Sequence, residues 1–213
     1  MLFTENNVVP MSRSIDVRNY LDPLFTYVHR YTQLRKDELL QLLPFLEIKL
    51  YEKKEMILAA GEIDNYLNIV VKGMARKYIS LPKKREVTLQ LATEGHFIQS
   101  EVSFNTRRPS ELSVQAVEQT ILIRIEHRKL ETIMLSFPWA ETIGRLLVVE
   151  LAAAREKRQY NVRMKSARQR FLDYTANHPQ MMRRVPMNVL ASYLNMKPET
   201  LSRLKRSVKD KFS

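Results

Sequence analysis

The chain has 213 residues, 45% of them hydrophobic, no cysteine and a formal net charge of +12. That length accommodates one large domain or two small ones, and the apolar content is enough for a packed core. The missing cysteine excludes disulfides, thiolate-held iron–sulfur clusters, cysteine nucleophiles and cysteine-bearing zinc sites, while the charge points to a polyanionic partner.

No apolar run reaches the roughly 18 residues that a membrane-spanning helix needs. The first residues lack a basic start followed by an apolar stretch, so no secretory leader is expected and a cytoplasmic location is. Residues 1–14 have no clear period and read as a frayed end. Tyr20 to Leu46 reads as helices, one of them opening on Asp37-Glu38 and stopped at Pro44. From Ile48 to Ile125 the texture changes to short alternating or apolar runs. These are Glu47–Tyr51, Met56–Ala59, Tyr66–Val71, Ala75–Ile79, Glu86–Ala92, Ser113–Ala116 and Thr120–Ile125. Turn signals such as Gly61-Glu62, Lys72-Gly73, Leu81-Pro82 and Glu94-Gly95 separate them. Strands at this spacing predict an antiparallel sandwich or barrel.

Helix returns near Arg128, and Pro138 opens a long one. Ile143, Leu146, Leu147, Glu150, Leu151 and Ala154 follow a three-four spacing. Such a stripe suits pairing with another helix, and equally suits packing on its own domain. Arg155 to Lys165 is polar and charged and reads as a hinge. Ser166 to Ala176 is a further helix carrying Arg170, Phe171 and Tyr174, and Asn177-His178-Pro179 ends it.

Met187 to Arg206 carries the densest signal. Leu190, Ala191 and Leu194 share one face of a short helix. Asn195 tolerates the left-handed backbone of a tight turn, and Pro198 suits the first turn of the next helix. Leu201 and Leu204 give that helix its buried side. This is the pattern of a helix-turn-helix, or of an ordinary helical hairpin with a basic solvated face. Charge favours the first. Residues 155–213 hold 15 Lys/Arg against 4 Asp/Glu, whereas residues 1–154 hold 20 against 19. Glu199, Ser202, Arg203 and Arg206 project from the free face as candidate base contacts, since Glu accepts from cytosine and Arg bonds guanine. Glu199 and Arg203, four apart, would otherwise be a plain surface ion pair.

The order of strand-rich roll, long helix and helix-turn-helix resembles the Crp/Fnr superfamily of dimeric bacterial transcription regulators. In the roll the resemblance rests on Gly61-Glu62, on Tyr66 through Arg76, on Gly95-His96-Phe97 and on Ser113-Val114-Gln115-Ala116. At the end it rests on Leu190-Ala191-Ser192-Tyr193-Leu194 and Pro198-Glu199-Thr200-Leu201-Ser202-Arg203. It implies an α+β fold. An antiparallel β-roll of cyclic-nucleotide-binding type, with flanking helices, would span residues 1–136. A dimerisation helix and hinge would span 137–164, and a (winged) helix-turn-helix domain 165–213. Ile143, Leu146, Leu147 and Leu151 would then form the seam of a homodimer on palindromic double-stranded DNA. RNA polymerase is a candidate further partner.

Departures from the family pattern shape the ligand expectation. Gln99-Ser100 falls where cyclic-nucleotide binders carry Gly-Glu for the ribose, and Ser110-Glu111 where they carry Arg-Ser for the phosphate. The site loses its cation and meets a carboxylate, the wrong charge for an anion. The adenine-contacting hydroxyls of the family fall at Arg155 and Glu156. Cyclic AMP is therefore not expected as ligand. The pocket expected at Ser100 and Ser110 would draw any cation from Arg107 and Arg108, unless both are solvated loop residues. The effector is unassigned, and no cofactor is expected. His29, His96, His127 and His178 have no metal-ligand spacing, so no metal is expected either. Residues 207–213 are too few for a two-stranded wing. Phosphate contacts would come from Lys197, Lys205, Lys209, Arg183 and Arg184.

Two other readings compete. An enzyme lacks support: no Gly-x-Ser-x-Gly, His-Glu-x-x-His or phosphate-cradling glycine loop occurs, with four glycines in all. A cyclic-nucleotide or other small-anion binding module acting through protein partners would not need the basic end.

Overall fold

A computed structural model describes residues 20–30 and 32–209, so the expected frayed end at residues 1–14 lies outside the described residues. Two helices, α1 (Asp22–His29) and α2 (Lys36–Leu40), lead into the strands. All seven expected runs form strands: β1 (Leu46–Tyr51), β2 (Met56–Leu58), β3 (Tyr66–Lys72), β4 (Met74–Leu81), β5 (Arg85–Thr93), β6 (Ser113–Ala116) and β7 (Thr120–Glu126). They make two antiparallel sheets, ordered β1-β7-β3 and β2-β6-β4-β5. A short helix α3 (Glu101–Thr106) sits between β5 and β6. The β3–β4 turn requires glycine: Gly73 has φ +96°, and a Cβ there would lie 2.3 Å from the Gln119 carbonyl.

The strand sequences explain both layers of core. Val70, Leu122, Ala75, Ala92, Val114 and Ala116 point between the sheets, where the three alanines let the sheets approach closely. Alternate residues Ile69, Val71, Ile121 and Ile123 point the other way, onto Leu24, Tyr27 and Val28 of α1 and onto Leu39. Strands β3 and β7 are buried on both faces, which is why they read as continuous apolar runs rather than alternating ones.

Helix α4 (His127–Ser136) leads to α5 (Pro138–Met164), 27 residues without a break and roughly 40 Å long at 1.5 Å per residue. The hinge expected over Arg155–Lys165 is not there. That stretch has good helix formers and no glycine or proline; its polarity reflects exposure, not a break. The chain leaves the helix only at Lys165, and Ser166 caps the next one.

The expected dimer stripe is largely taken up by its own domain. Leu147 is only 7% exposed, and Ile143 and Leu151 pack beside it into the core that holds α1 and Ile133. Three of the four seam candidates thus face their own domain. Only Leu146 lies outside that cluster. The free side of α5 instead shows Val148 and Val149, both 64% exposed, with Tyr160 and Met164 farther along.

Helices α6 (Ala167–Asn177), α7 (Met181–Arg184), α8 (Met187–Tyr193) and α9 (Pro198–Lys209) complete the described chain. Ser166 accepts from the Gln169 amide, and the Gln169 side chain answers to the Ser166 N–H, a capping box that starts α6. Phe171, Leu190, Ala191 and Leu201 are fully buried together, and Met74 and Val117 of the roll join the same cluster. The C-terminal helices therefore share a core with the second sheet. No helix among the described residues is long and apolar enough to cross a membrane.

Candidate nucleic-acid interface and roll pocket

Helices α8 and α9 are joined by a tight turn with Asn195 at φ +52°, as its sequence position predicts. Arg170 of α6 fixes that turn. Its Nε donates to the Leu194 carbonyl at 2.7 Å and its Nη2 to the Asn195 carbonyl at 3.0 Å, while Nη1 donates to the Lys165 carbonyl. One guanidinium thus caps α8 and ties it to the end of α5.

Leu201 is buried and Leu204 half-buried, so the opposite face of α9 is free. Glu199, Arg203 and Arg206 are exposed on it, Ser202 is half-buried, and Glu199 and Arg203 make no ion pair with each other. Lys197 and Arg183 are exposed nearby. Lys205 is half-buried with its Nζ 3.4 Å from the Met182 carbonyl. The side chain of Lys209 lies outside the described residues.

Arg184 does not belong with the phosphate candidates. It donates to Glu94 from Nη1 and Nη2 at 3.1 and 2.9 Å, to Glu118 from Nε at 3.1 Å and Nη2 at 2.5 Å, and to the Gly73 carbonyl at 3.0 Å. Bonds to Glu94 and then Glu118 hold its pKa above the ordinary arginine value. Burial pushes the Glu94 carboxyl up, but its bonds to Arg184 and to backbone N–H groups outweigh this and leave it below the usual carboxylate range. Removing this clamp by Arg184→Ala leaves two carboxylates without their cation. We expect a loss of about 1–2 kcal/mol, toward the low end because the groups are partly exposed, read as faster protease cleavage near Lys165. The clamp contributes in full at neutral pH, and its contribution falls away as pH drops through the lowered Glu94 pKa. Cleavage of the parent chain should therefore approach that of the variant in acid, and a pH-independent difference would refute the assignment.

Inside the roll, Ser100 and Ser110 do come together, their hydroxyls 2.8 Å apart and both buried. Ser100 also donates its N–H to Asp64 at 2.7 Å. The Arg107 guanidinium is spent elsewhere: it donates to the Asp64 and Phe104 carbonyls at 2.8 and 3.1 Å and to the Asn65 side chain. Arg108 is an exposed loop residue whose carbonyl accepts from Ser103. Neither arginine faces the serine pair through a hydrogen bond. Two neighbouring cations of β4 are buried, Arg76, which pairs with Glu86 at 2.7 Å, and Lys77, and neither is among the site residues expected from the sequence. Lys77 donates to the Gln99 carbonyl at 3.0 Å and pairs with Glu101 at 2.5 Å. Burial lowers its pKa, against the pull of Glu101. The signal was available in the alternation, since Lys77 lies two residues from the interior Ala75.

Comparison with known proteins agrees with this architecture. Residues 48–137 match the family described as cyclic nucleotide-binding domain. No curated protein sequence matches the chain. Among solved structures, FixK2 from Bradyrhizobium japonicum is 17% identical with TM-score 0.69, over 78% of this chain and 85% of that one. The c-di-GMP responsive global regulator CLP of Xanthomonas campestris is 16% identical with TM-score 0.65, over 81% and 91%. The Thermus thermophilus catabolite activator protein is 20% identical with TM-score 0.55, over 89% and 87%. Residues 48–137 thus match the cyclic nucleotide-binding domain family, and the chain shares its fold with these solved structures.

Proposed function

We propose that the chain is a sequence-specific DNA-binding transcription regulator that works as a homodimer and does not take cyclic AMP in its roll. The observation that carries this is the free face of α9: Glu199, Arg203 and Arg206 are exposed and, among the described residues, unpaired on a helix whose other face is sealed by Leu201. Glu199 and Arg203 have the i,i+4 spacing of a surface ion pair but do not form one, which leaves both free for base edges. The concentration of positive charge in residues 155–213 supplies the sequence-independent part of DNA affinity. Pairing falls to the free side of α5, through Val148, Val149 and the adjoining Leu146, because the Leu147 side is closed. In the roll, Ser100 and Ser110 bond to each other, and Lys77 is engaged with Glu101.

Selection of bound sequences from random duplex DNA, with and without millimolar cyclic AMP, tests the reading. The expected product is a palindrome whose half-sites lie about one helical turn (~34 Å) apart, recovered equally in both conditions. A single asymmetric motif would argue against the dimer, recovery only with nucleotide against the closed roll, and no enrichment at all against DNA binding. In the last case the small-anion module acting through protein partners would take its place.

A further inference from the structure

Strand β5 is the outer strand of its sheet, with β4 on one side only. Its free edge holds the helix-turn-helix. The Thr88 N–H donates to Ser192 Oγ at 2.8 Å, Ser192 Oγ donates to the Glu86 carbonyl at 2.9 Å, and Arg158 of α5 donates to the Thr88 carbonyl at 2.7 Å. Outward-facing groups on an edge strand alternate, so the phase of β5 decides what α8 meets.

That phase shifts once along the β4–β5 pair. Lys77 lies opposite Gln90 and Tyr78 opposite Thr88, which leaves Leu89 as an extra residue, a β-bulge. The pair that borders the bulge is also the pair whose side chains reach out of the sheet to residues 97–101. Gln90 Nε2 donates to the Phe97 carbonyl at 2.8 Å, and Lys77 Nζ donates to the Gln99 carbonyl and pairs with Glu101 at the start of α3. The Lys77 side chain is 8% exposed. An ammonium this deep is costly unless it is paired, so its partners fix where α3 and β4 sit against each other.

We propose that Lys77 and Glu101 are positioning residues: their ion pair inside the roll holds α3 to the β4–β5 bulge and so sets the Thr88 edge on which the helix-turn-helix is docked. The chain thereby supplies from its own side chains a contact that orients α9 without an effector. The consequence for DNA rests on the function proposed above; the coupling from Lys77 to Thr88 does not.

Amide hydrogen exchange on the full chain tests it. Lys77→Met keeps the stem and removes the charge, and Glu101→Gln keeps the shape and removes the counter-charge. Ser192→Ala is the reference, because it deletes the acceptor of the Thr88 N–H. All three should speed Thr88 exchange by about tenfold or more, with the Ile48 and Ile123 amides of the other sheet unchanged. Combining Lys77→Met with Ser192→Ala should add nothing further at Thr88, as one shared opening requires. Parental Thr88 protection in Lys77→Met and Glu101→Gln would overturn the proposal, and so would an additive double variant. If Lys77→Met unfolds the roll, Glu101→Gln decides alone: parental protection there overturns the proposal, and loss of protection supports it. Exchange is read without DNA, so failure of the chain to select a DNA site and failure of this coupling are separate results.

Discussion

Leu147→Asp will unfold the helical side of the roll rather than split a dimer cleanly. Leu147 is 7% exposed among Ile133, Ala140, Ile143 and Leu151, and that cluster continues into α1. Losing the leucine packing alone costs about 2–5 kcal/mol, and an unpaired carboxylate in the same place costs more. For a chain of this length about 1 kcal/mol moves the melting temperature by roughly 2–4 °C, so a fall beyond about 10 °C is expected. Val149→Glu should do the opposite. Val149 is 64% exposed on the free side of α5, where a charge meets water in a monomer and another copy in a dimer. That variant should sediment as a folded monomer and lose most of its affinity for a palindromic site. Normal melting of Leu147→Asp with loss of the dimer would return Leu147 to the seam, and a dimeric Val149→Glu would move the interface off this face.

The contrast shows where the sequence was legible. The seven strands could be read because alternation and turn residues act over a few positions, and Gly73 and Asn195 mark backbone that few residues adopt. The helix read from Ser166 onward starts there for the same local reason, a capping box with Gln169. The inward side of α5 was not legible. Ile143, Leu147 and Leu151 make one apolar stripe, and Val148 and Val149 lie on the far side. Spacing alone does not say which stripe meets α1 and which is left over. Polarity over Arg155 to Lys165 suggests a hinge, but the stretch holds no glycine or proline and α5 runs on through Met164.

Arg184 failed for a different reason. Its partners Glu94 and Glu118 lie 90 and 66 residues away in sequence, so a basic residue next to a helix-turn-helix looked free when it was tied to the roll. Lys77 is the reverse case, a charge buried because its strand position points inward, where its residue type alone suggests solvent.

Arg203→Ala should cost about 1–3 kcal/mol on the selected DNA site, about 5- to 150-fold in affinity, and relax preference at one base pair. Arg203 lies one turn beyond Glu199 on the exposed face of α9, roughly 6 Å farther along the axis. That separation lets the two side chains address neighbouring base pairs in one groove. The competing explanation was a surface ion pair between them. The structure forms none, so among the described residues no carboxylate holds the Arg203 guanidinium, and no such pair must be broken to reach guanine. The control has to be a cation that meets only phosphate. Lys205 is poorly suited, since it is half-buried against the Met182 carbonyl. Lys197 is exposed just before α9 begins, and its side chain makes no hydrogen bond or ion pair among the described residues. Lys197→Ala should weaken every sequence alike and flatten the dependence of log affinity on log salt by about one charge. Arg203→Ala should leave non-specific binding within a few-fold of the parent while it degrades the specific site. Equal losses for both variants across specific and random DNA would remove Arg203 from base recognition and leave α9 as a basic surface that holds the backbone only.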